Sequence, residues 1–365
     1  MSKVLSIEER LQRHHDYWNG VHQKRPLTCF RVGSHFFSRE FAANDNIIEK
    51  GHVVTADQVI VDDYLPDYER MYQDLETLGQ DCFFAAEPCT GFPWMEAIFG
   101  ADVIGSTVSF VSHPIYSDPE ELLENIKKVK LGATNPWYQK YLEFSEKLTK
   151  LANGRFPVAQ PILRGVTDTA GSLISQMELA YGIIDEPEIF KQVFDIIVEG
   201  QRALIADQYK VTEPFHGGRS FGFYHLWAPG SVMWYQEDLA SLMSKNHYEQ
   251  YLRKTSERYI EGYDYSLVHL HPTSFIHLDG ILSLKNLSVV EITKDEGLNM
   301  TDILPECKKV LESGKKLSIG MGYFTKEDID VIYEEMPHHS THINIITHKL
   351  DEAKELLDYI DSKNW

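Results

Sequence analysis

The chain has 365 residues, 43% hydrophobic and 25% charged, a make-up that allows a sizeable core without disulfide or metal staples. A formal net charge of −20 argues against extended contact with a nucleic-acid backbone, which requires a basic face. No apolar run nears the ~20 residues that a membrane-spanning helix needs, so no membrane partner is expected.

In chain order, Ser6-Ile7-Glu8-Glu9 is a capping-box start, and Leu11, His15 and Trp18 follow at helical spacing. Gly20 and Pro26 end this N-terminal helical extension, residues 1–26. Strand candidates then stand at about 27–32, 81–86, 156–162, 220–226, 266–271, 288–293, 317–321 and 342–347. Helical patterns separate most of them, and the clearest follows Asp185-Glu186-Pro187-Glu188, with Ile189, Phe190, Val193, Phe194, Ile197 and Val198 at core spacing. Alternating strands and helices demand parallel pairing, and eight such units close into a (β/α)8 TIM barrel, here one domain over 1–365. The turn after the first strand, Val32-Gly33-Ser34, lacks the glycines of a dinucleotide-binding sheet. Four scattered cysteines form no CxxC pair, and Met1 to Arg13 does not resemble a signal peptide, so a reduced cytoplasm is the expected location.

In a parallel barrel, chemistry gathers at the C-terminal strand ends. That rule selects Arg31 and His35 after the first strand, Phe92 and Trp94 after the second, and Arg164 and Asp168 after the third. Tyr224, His225 and Trp227 follow the fourth, with Trp234 beyond. The fifth strand ends in His269-Leu270-His271, whose imidazoles share a face because side chains alternate along a strand. Glu291 on the sixth strand and His348 after the eighth complete a candidate zinc shell of His269, His271, Glu291 and His348. Phe92, Trp94 and Trp234 are candidates to line a flat ligand's pocket. His338, His339 and His342 read as loop histidines.

Pro161-Ile162-Leu163-Arg164-Gly165-Val166-Thr167-Asp168-Thr169-Ala170-Gly171, the Asp185-Glu186-Pro187-Glu188 helix start and the order of the closing strands resemble the uroporphyrinogen decarboxylase-like superfamily. That group holds tetrapyrrole decarboxylases and zinc-dependent methyltransferases that exchange methyl groups with corrinoid proteins. The decarboxylases' N-terminal arginine-rich motif is missing around Arg25 to Arg39. The methyltransferases carry His-x-Cys where His269-Leu270-His271 stands, so the resemblance implies zinc there, with Glu291 near the place of a further ligand. No cysteine occupies these positions, which makes a harder Lewis acid than a thiolate site.

The function implied is metal-assisted methyl transfer, with Arg164 or Asp168 orienting a small-molecule substrate. No Asp-x-His-x-x-Gly loop occurs, so a corrinoid would be carried by a separate protein; the resemblance also implies a homodimer. Two other readings stand beside it. One is a metal-free carboxy-lyase in which Arg164, Tyr224 and His225 handle a carboxylated aromatic or tetrapyrrole ligand and Asp168 is the acid/base. The other is a non-enzymatic ligand-binding barrel.

Overall fold

The computed structural model describes residues 4–33, 37–48, 51–106 and 109–365; His35 lies outside them. Its strands are β1 (Leu27–Val32), β2 (Val53–Val54), β3 (Val103–Gly105), β4 (Phe110–Val111), β5 (Arg219–Phe221), β6 (Leu226–Ala228), β7 (Val232–Gln236), β8 (Tyr265–Leu270), β9 (Val289–Thr293), β10 (Lys316–Gly322) and β11 (Thr341–Thr347). Among the described residues the central sheet has six strands, in the order β1-β11-β10-β9-β8-β7, every neighbouring pair parallel. Helices Met300–Glu312, Lys326–Glu335 and Leu350–Ser362 follow β9, β10 and β11 in turn, as parallel crossovers require.

Two expected strands, 81–86 and 156–162, are extended segments between the edges of this sheet. Asp81 N–H donates to Thr28 O at 3.0 Å, Ala86 forms a parallel bridge with Val158, and Ala159 N–H donates to Ala86 O at 2.8 Å. At the far side Gln160 Nε2 donates to Trp234 O at 2.8 Å, so the chain is connected from β1 round to β7. Pro157 and Pro161 have no N–H to give, and the Gln160 amide supplies a bond that the backbone cannot.

The expected strand at 220–226 is not in this sheet. Residues Arg219–Phe221 and Leu226–Ala228 form an antiparallel hairpin around the tight turn Gly222–Tyr224, and His225 has a left-handed backbone, φ 53°. A left-handed residue cannot continue a strand, so the alternation of apolar residues there misleads. The parallel strand is β7, whose five residues are all buried. The hairpin turn instead lies over one face of β1 and β11: the Phe223 carbonyl accepts from Arg31 Nη1 at 2.9 Å and from Asn344 Nδ2 at 3.2 Å.

Period-two alternation sorts the core into two layers. Leu27, Cys29, Val232, Trp234, Leu267 and Val289 pack together with the hairpin on the inner face. Phe30, Met233, Val268, Val290, Ile319 and Ile343 pack against the helices on the other. The N-terminal extension is helix α1 (Ile7–Asn19). Ser6 and Glu9 cap it reciprocally, and Gly20 at φ 65° ends it. Its buried side, Arg10, His14 and Tyr17, covers the N-terminal strand ends, where Tyr17 Oη donates to Leu317 O at 3.2 Å. Among the described residues no helix is long and apolar enough to cross a membrane.

Asp81 ties the irregular segment to β1. Its buried carboxylate accepts from Thr28 N–H at 2.9 Å, from Arg25 Nη1 at 2.6 Å and from Arg13. Asp81→Ala would leave the buried Arg25 with only the half-exposed Asp361 and should cost ~3–5 kcal/mol. A lower urea midpoint with unchanged slope would register it.

Candidate functional site

A cleft of about 420 Å³ opens at the C-terminal ends of β7 and β8. A larger depression, about 720 Å³, lies on the α1 side among Glu9, Arg13, Arg25 and Asp361, groups already engaged in ion pairs and caps. The cleft is where reactive side chains converge. His269 and His271 stand one residue apart at the end of β8, their rings 4.7 Å apart and nearly perpendicular.

Each imidazole is oriented by a carboxylate. His269 Nδ1 lies 2.5 Å from Glu291 Oε2, and His271 Nδ1 lies 2.7 Å from Asp295 Oδ1. A carboxylate accepts only, so each Nδ1 carries the hydrogen and, in the neutral ring, Nε2 keeps its lone pair. Both Nε2 atoms turn toward Asp238 Oδ1, at 3.9 and 4.0 Å. The second Asp238 oxygen accepts from Gln236 Nε2 at 2.8 Å, which leaves Oδ1 aimed at the rings. Burial opposes a charge on His269, yet Glu291, with Asp238 and Asp295 behind it, outweighs that and raises its pKa to about 9.

Asp238 was not among the expected ligands, and its placement depends on a reciprocal brace. Glu237 accepts from Val166 N–H at 3.0 Å and Thr167 N–H at 2.9 Å, capping helix α2 (Val166–Ile174). From α2, Asp168 accepts from Asp238 N–H at 3.1 Å and Leu239 N–H at 2.9 Å, capping the turn that carries Asp238. The two caps need close approach. A Cβ on Gly165 would stand 1.9 Å from Gln236 O, so only glycine fits there. Burial, then Asp238 and Glu237, push the Asp168 carboxyl well above the usual carboxylate range.

The other expected site residues fall into three places. Arg164 lines the cleft, partly exposed, and donates to the buried Glu96 at 3.0 Å, which holds the guanidinium charged. Phe92 and Trp94 form an apolar wall there; Phe92 stacks on Phe110 at 4.4 Å, and Trp94 Nε1 donates to Cys89 O. Trp234 and Tyr224 lie deeper on the inner face, rings 5.2 Å apart, with the Tyr224 ring 6.4 Å from His269. Burial, with Glu291 and Asp238 nearby, keeps the Tyr224 hydroxyl protonated. Glu291 is fully buried with its partner His269, while Lys294 turns away to Asp328 and Tyr323 O.

His225 and His348 are not at this cleft. They line a separate hollow of about 160 Å³ with Arg31, and the exposed His348 stacks on Tyr323 at 4.5 Å. Two strands, β9 and β10, separate β8 from β11, which puts His348 on another part of the sheet. The donors that do converge are His269, His271 and Asp238, whose ligand atoms all lie within 4.8 Å of one another. Tetrahedral zinc, with bonds of about 2.0–2.2 Å, is commonly held by such a set, and orienting carboxylates behind the imidazoles are its usual accompaniment. The residues present fit the ion.

No family profile matches the chain, and no curated protein matches it. Among solved structures it is similar to a methyltransferase from Methanosarcina mazei, with a TM-score of 0.64, 12% identity and coverage of 97% of this chain and 98% of that one. This likeness shows a shared fold. A β-mannanase from a symbiotic protist of the termite Reticulitermes speratus matches at a TM-score of 0.33 and 10% identity, over 77% of this chain and 89% of the other, too distant to bear on the fold.

Asp168→Ala frees the Asp238 turn without touching an imidazole. Zinc affinity in the cleft should fall roughly 10–100-fold, the usual effect of removing an outer support. Calorimetric zinc titration measures it, and unchanged affinity would show that the brace does not position Asp238.

Proposed function

We propose that the chain is a metal-dependent methyltransferase in which His269, His271 and Asp238 hold a zinc-like ion, with Glu291 and Asp295 fixing the two rings. The observation that carries this reading is the convergence of two Nε2 atoms on one Asp238 oxygen, each ring already held through Nδ1. The framework reads as a closed (β/α)8 barrel, supported by the hydrogen-bonded path from β1 through residues 81–86 and 156–160 to β7. The methyltransferase-like fold over nearly the whole chain supports the reaction class.

Such an ion, when bound, supplies Lewis acidity that lowers the pKa of a thiol or hydroxyl on the methyl acceptor. The remaining roles belong to the chain. Arg164, kept charged by Glu96, orients an anionic group of the acceptor. Phe92 and Trp94 exclude water from one wall, which strengthens every charge interaction in the cleft. Tyr224 stays a neutral hydroxyl on the His269 side. A volume of about 420 Å³ suits a small-molecule acceptor, so a corrinoid carried on a separate protein, or a small methyl donor, would present its methyl group at the mouth.

The lyase reading fits less well. Arg164 is the one arginine lining the cleft, beside Asp238 and Glu96, and a substrate rich in carboxylates needs several such partners.

His269→Ala, His271→Ala and Asp238→Ala should each weaken zinc binding in the cleft by ~100-fold or more, since each removes a direct ligand. Methyl transfer from a methylated corrinoid to a small thiol, followed by loss of the methyl–cobalt absorption, should fall with it. Variants that bind zinc and turn over like the parent would contradict the assignment.

A further inference from the structure

A second group of metal-ligating side chains lies at the other end of the inner face. Cys29 on β1, Cys82 on the segment beside it and His342 on β11 are completely buried, and their Sγ and imidazole nitrogen atoms lie within 4.8 Å of one another. Cys29 Sγ is 3.4 Å from His342 Nε2, close to the edge of a tetrahedron built on bonds of about 2.0–2.3 Å. His342, read from the sequence as a loop histidine, is therefore an inward-facing residue of β11, packed at that strand's beginning.

Helix α1 carries a further buried histidine nearby, His14. His14 Nδ1 lies 2.8 Å from Arg10 O; a carbonyl accepts only, so Nδ1 carries the hydrogen and Nε2 is a bare lone pair. That Nε2 is buried without a hydrogen-bond partner. His14 and Cys29 are the groups that act on the Cys82 thiol, and His14 also acts on His342. This buried imidazole lone pair stands next to the Cys82 thiol and has no firm hydrogen bond to hold it, so it is open to a fourth bond on the same ion. His342 Nδ1 shares a hydrogen bond with Ser318 Oγ at 2.9 Å, an arrangement that leaves its Nε2 free for coordination when the hydrogen is on Nδ1.

The geometry points to a structural zinc site formed by Cys29, Cys82 and His342, with His14, which stands just outside that 4.8 Å set, reaching the fourth position by a shift of its ring. Two cysteines and two histidines are a donor set of closed, four-coordinate zinc sites. Binding forms two Zn–S bonds, breaks the two S–H bonds and releases two protons to solvent. Two thiolates and one divalent cation sum to zero, so the buried complex carries no net charge, whereas a lone thiolate there would be strongly disfavoured. The ion would tie α1 to β1 and β11 and so close the N-terminal strand ends. This site has sulfur ligands and the cleft has none, which makes the two spectroscopically separable.

The test is the full-length protein produced in cobalt-supplemented minimal medium, its ultraviolet and visible absorption recorded before and after Cys29→Ser and Cys82→Ser. The expected result is a thiolate-to-cobalt charge-transfer band in the near ultraviolet, present in the parent and lost in either variant. The band should persist in His269→Ala/His271→Ala, and zinc-grown protein of that variant should keep about one equivalent of zinc. A folded, cobalt-grown parent without a sulfur charge-transfer band would overturn the proposal, whatever the cleft binds. Loss of the band in either variant, with Cys89 and Cys307 intact, assigns the sulfur to this site, and a parent without the band overturns the proposal whether or not the variants fold.

Discussion

Parallel register places residues of neighbouring strands side by side on the same face, and the inner face of this sheet shows what that constraint produces. Gln236 pairs with His269, His269 with Glu291, Glu291 with Ser318, Ser318 with His342, and His342 with Leu27. Five polar side chains thus form a continuous row across five strands of the inner face. The row starts at the C-terminal end of β7 and finishes at the beginning of β11, so it runs from the open cleft to the end covered by α1. Burying such groups is costly unless each finds a partner. The pairings His269–Glu291 and Ser318–His342 meet that demand within the row.

The cleft end shows how a carboxylate changes meaning with its position. Glu291 meets His269 as its cross-strand neighbour, so it reaches Nδ1 and fixes the ring. Asp238, on a turn beyond β7, faces the opposite nitrogen. The same functional group is therefore an orienting partner in one place and a candidate ligand in the other. Precision comes from the Glu237 and Asp168 caps, which use helix-end N–H groups to lock the two loops together.

Much of this was legible before any coordinates. The four closing strands, α1 and the shared face of His269 and His271 follow from simple periodicity, because these elements are regular and strongly patterned. The fourth strand was not. Ser220–Leu226 carries as good an alternation as Val232–Gln236, and the left-handed His225 that breaks it leaves no mark in the sequence. Misplacing that strand hid Asp238, which the strand-end rule selects once β7 is known. Glu291 was found, but its role depends on register, which no single sequence encodes. His348 obeyed the strand-end rule yet lies away from the cleft, because strand order puts β9 and β10 between.

The central claim is that the two cleft imidazoles present Nε2 to a metal while their Nδ1 hydrogens stay on Glu291 and Asp295. Long-range ¹H–¹⁵N NMR of the imidazoles, with assignments from His269→Gln and His271→Gln, reads this directly. On adding zinc to metal-free protein, both rings should show a protonated Nδ1 and an Nε2 shifted as for a metal-bound nitrogen. Rings whose nitrogen shifts stay unchanged with zinc, or which bind through Nδ1, would contradict it.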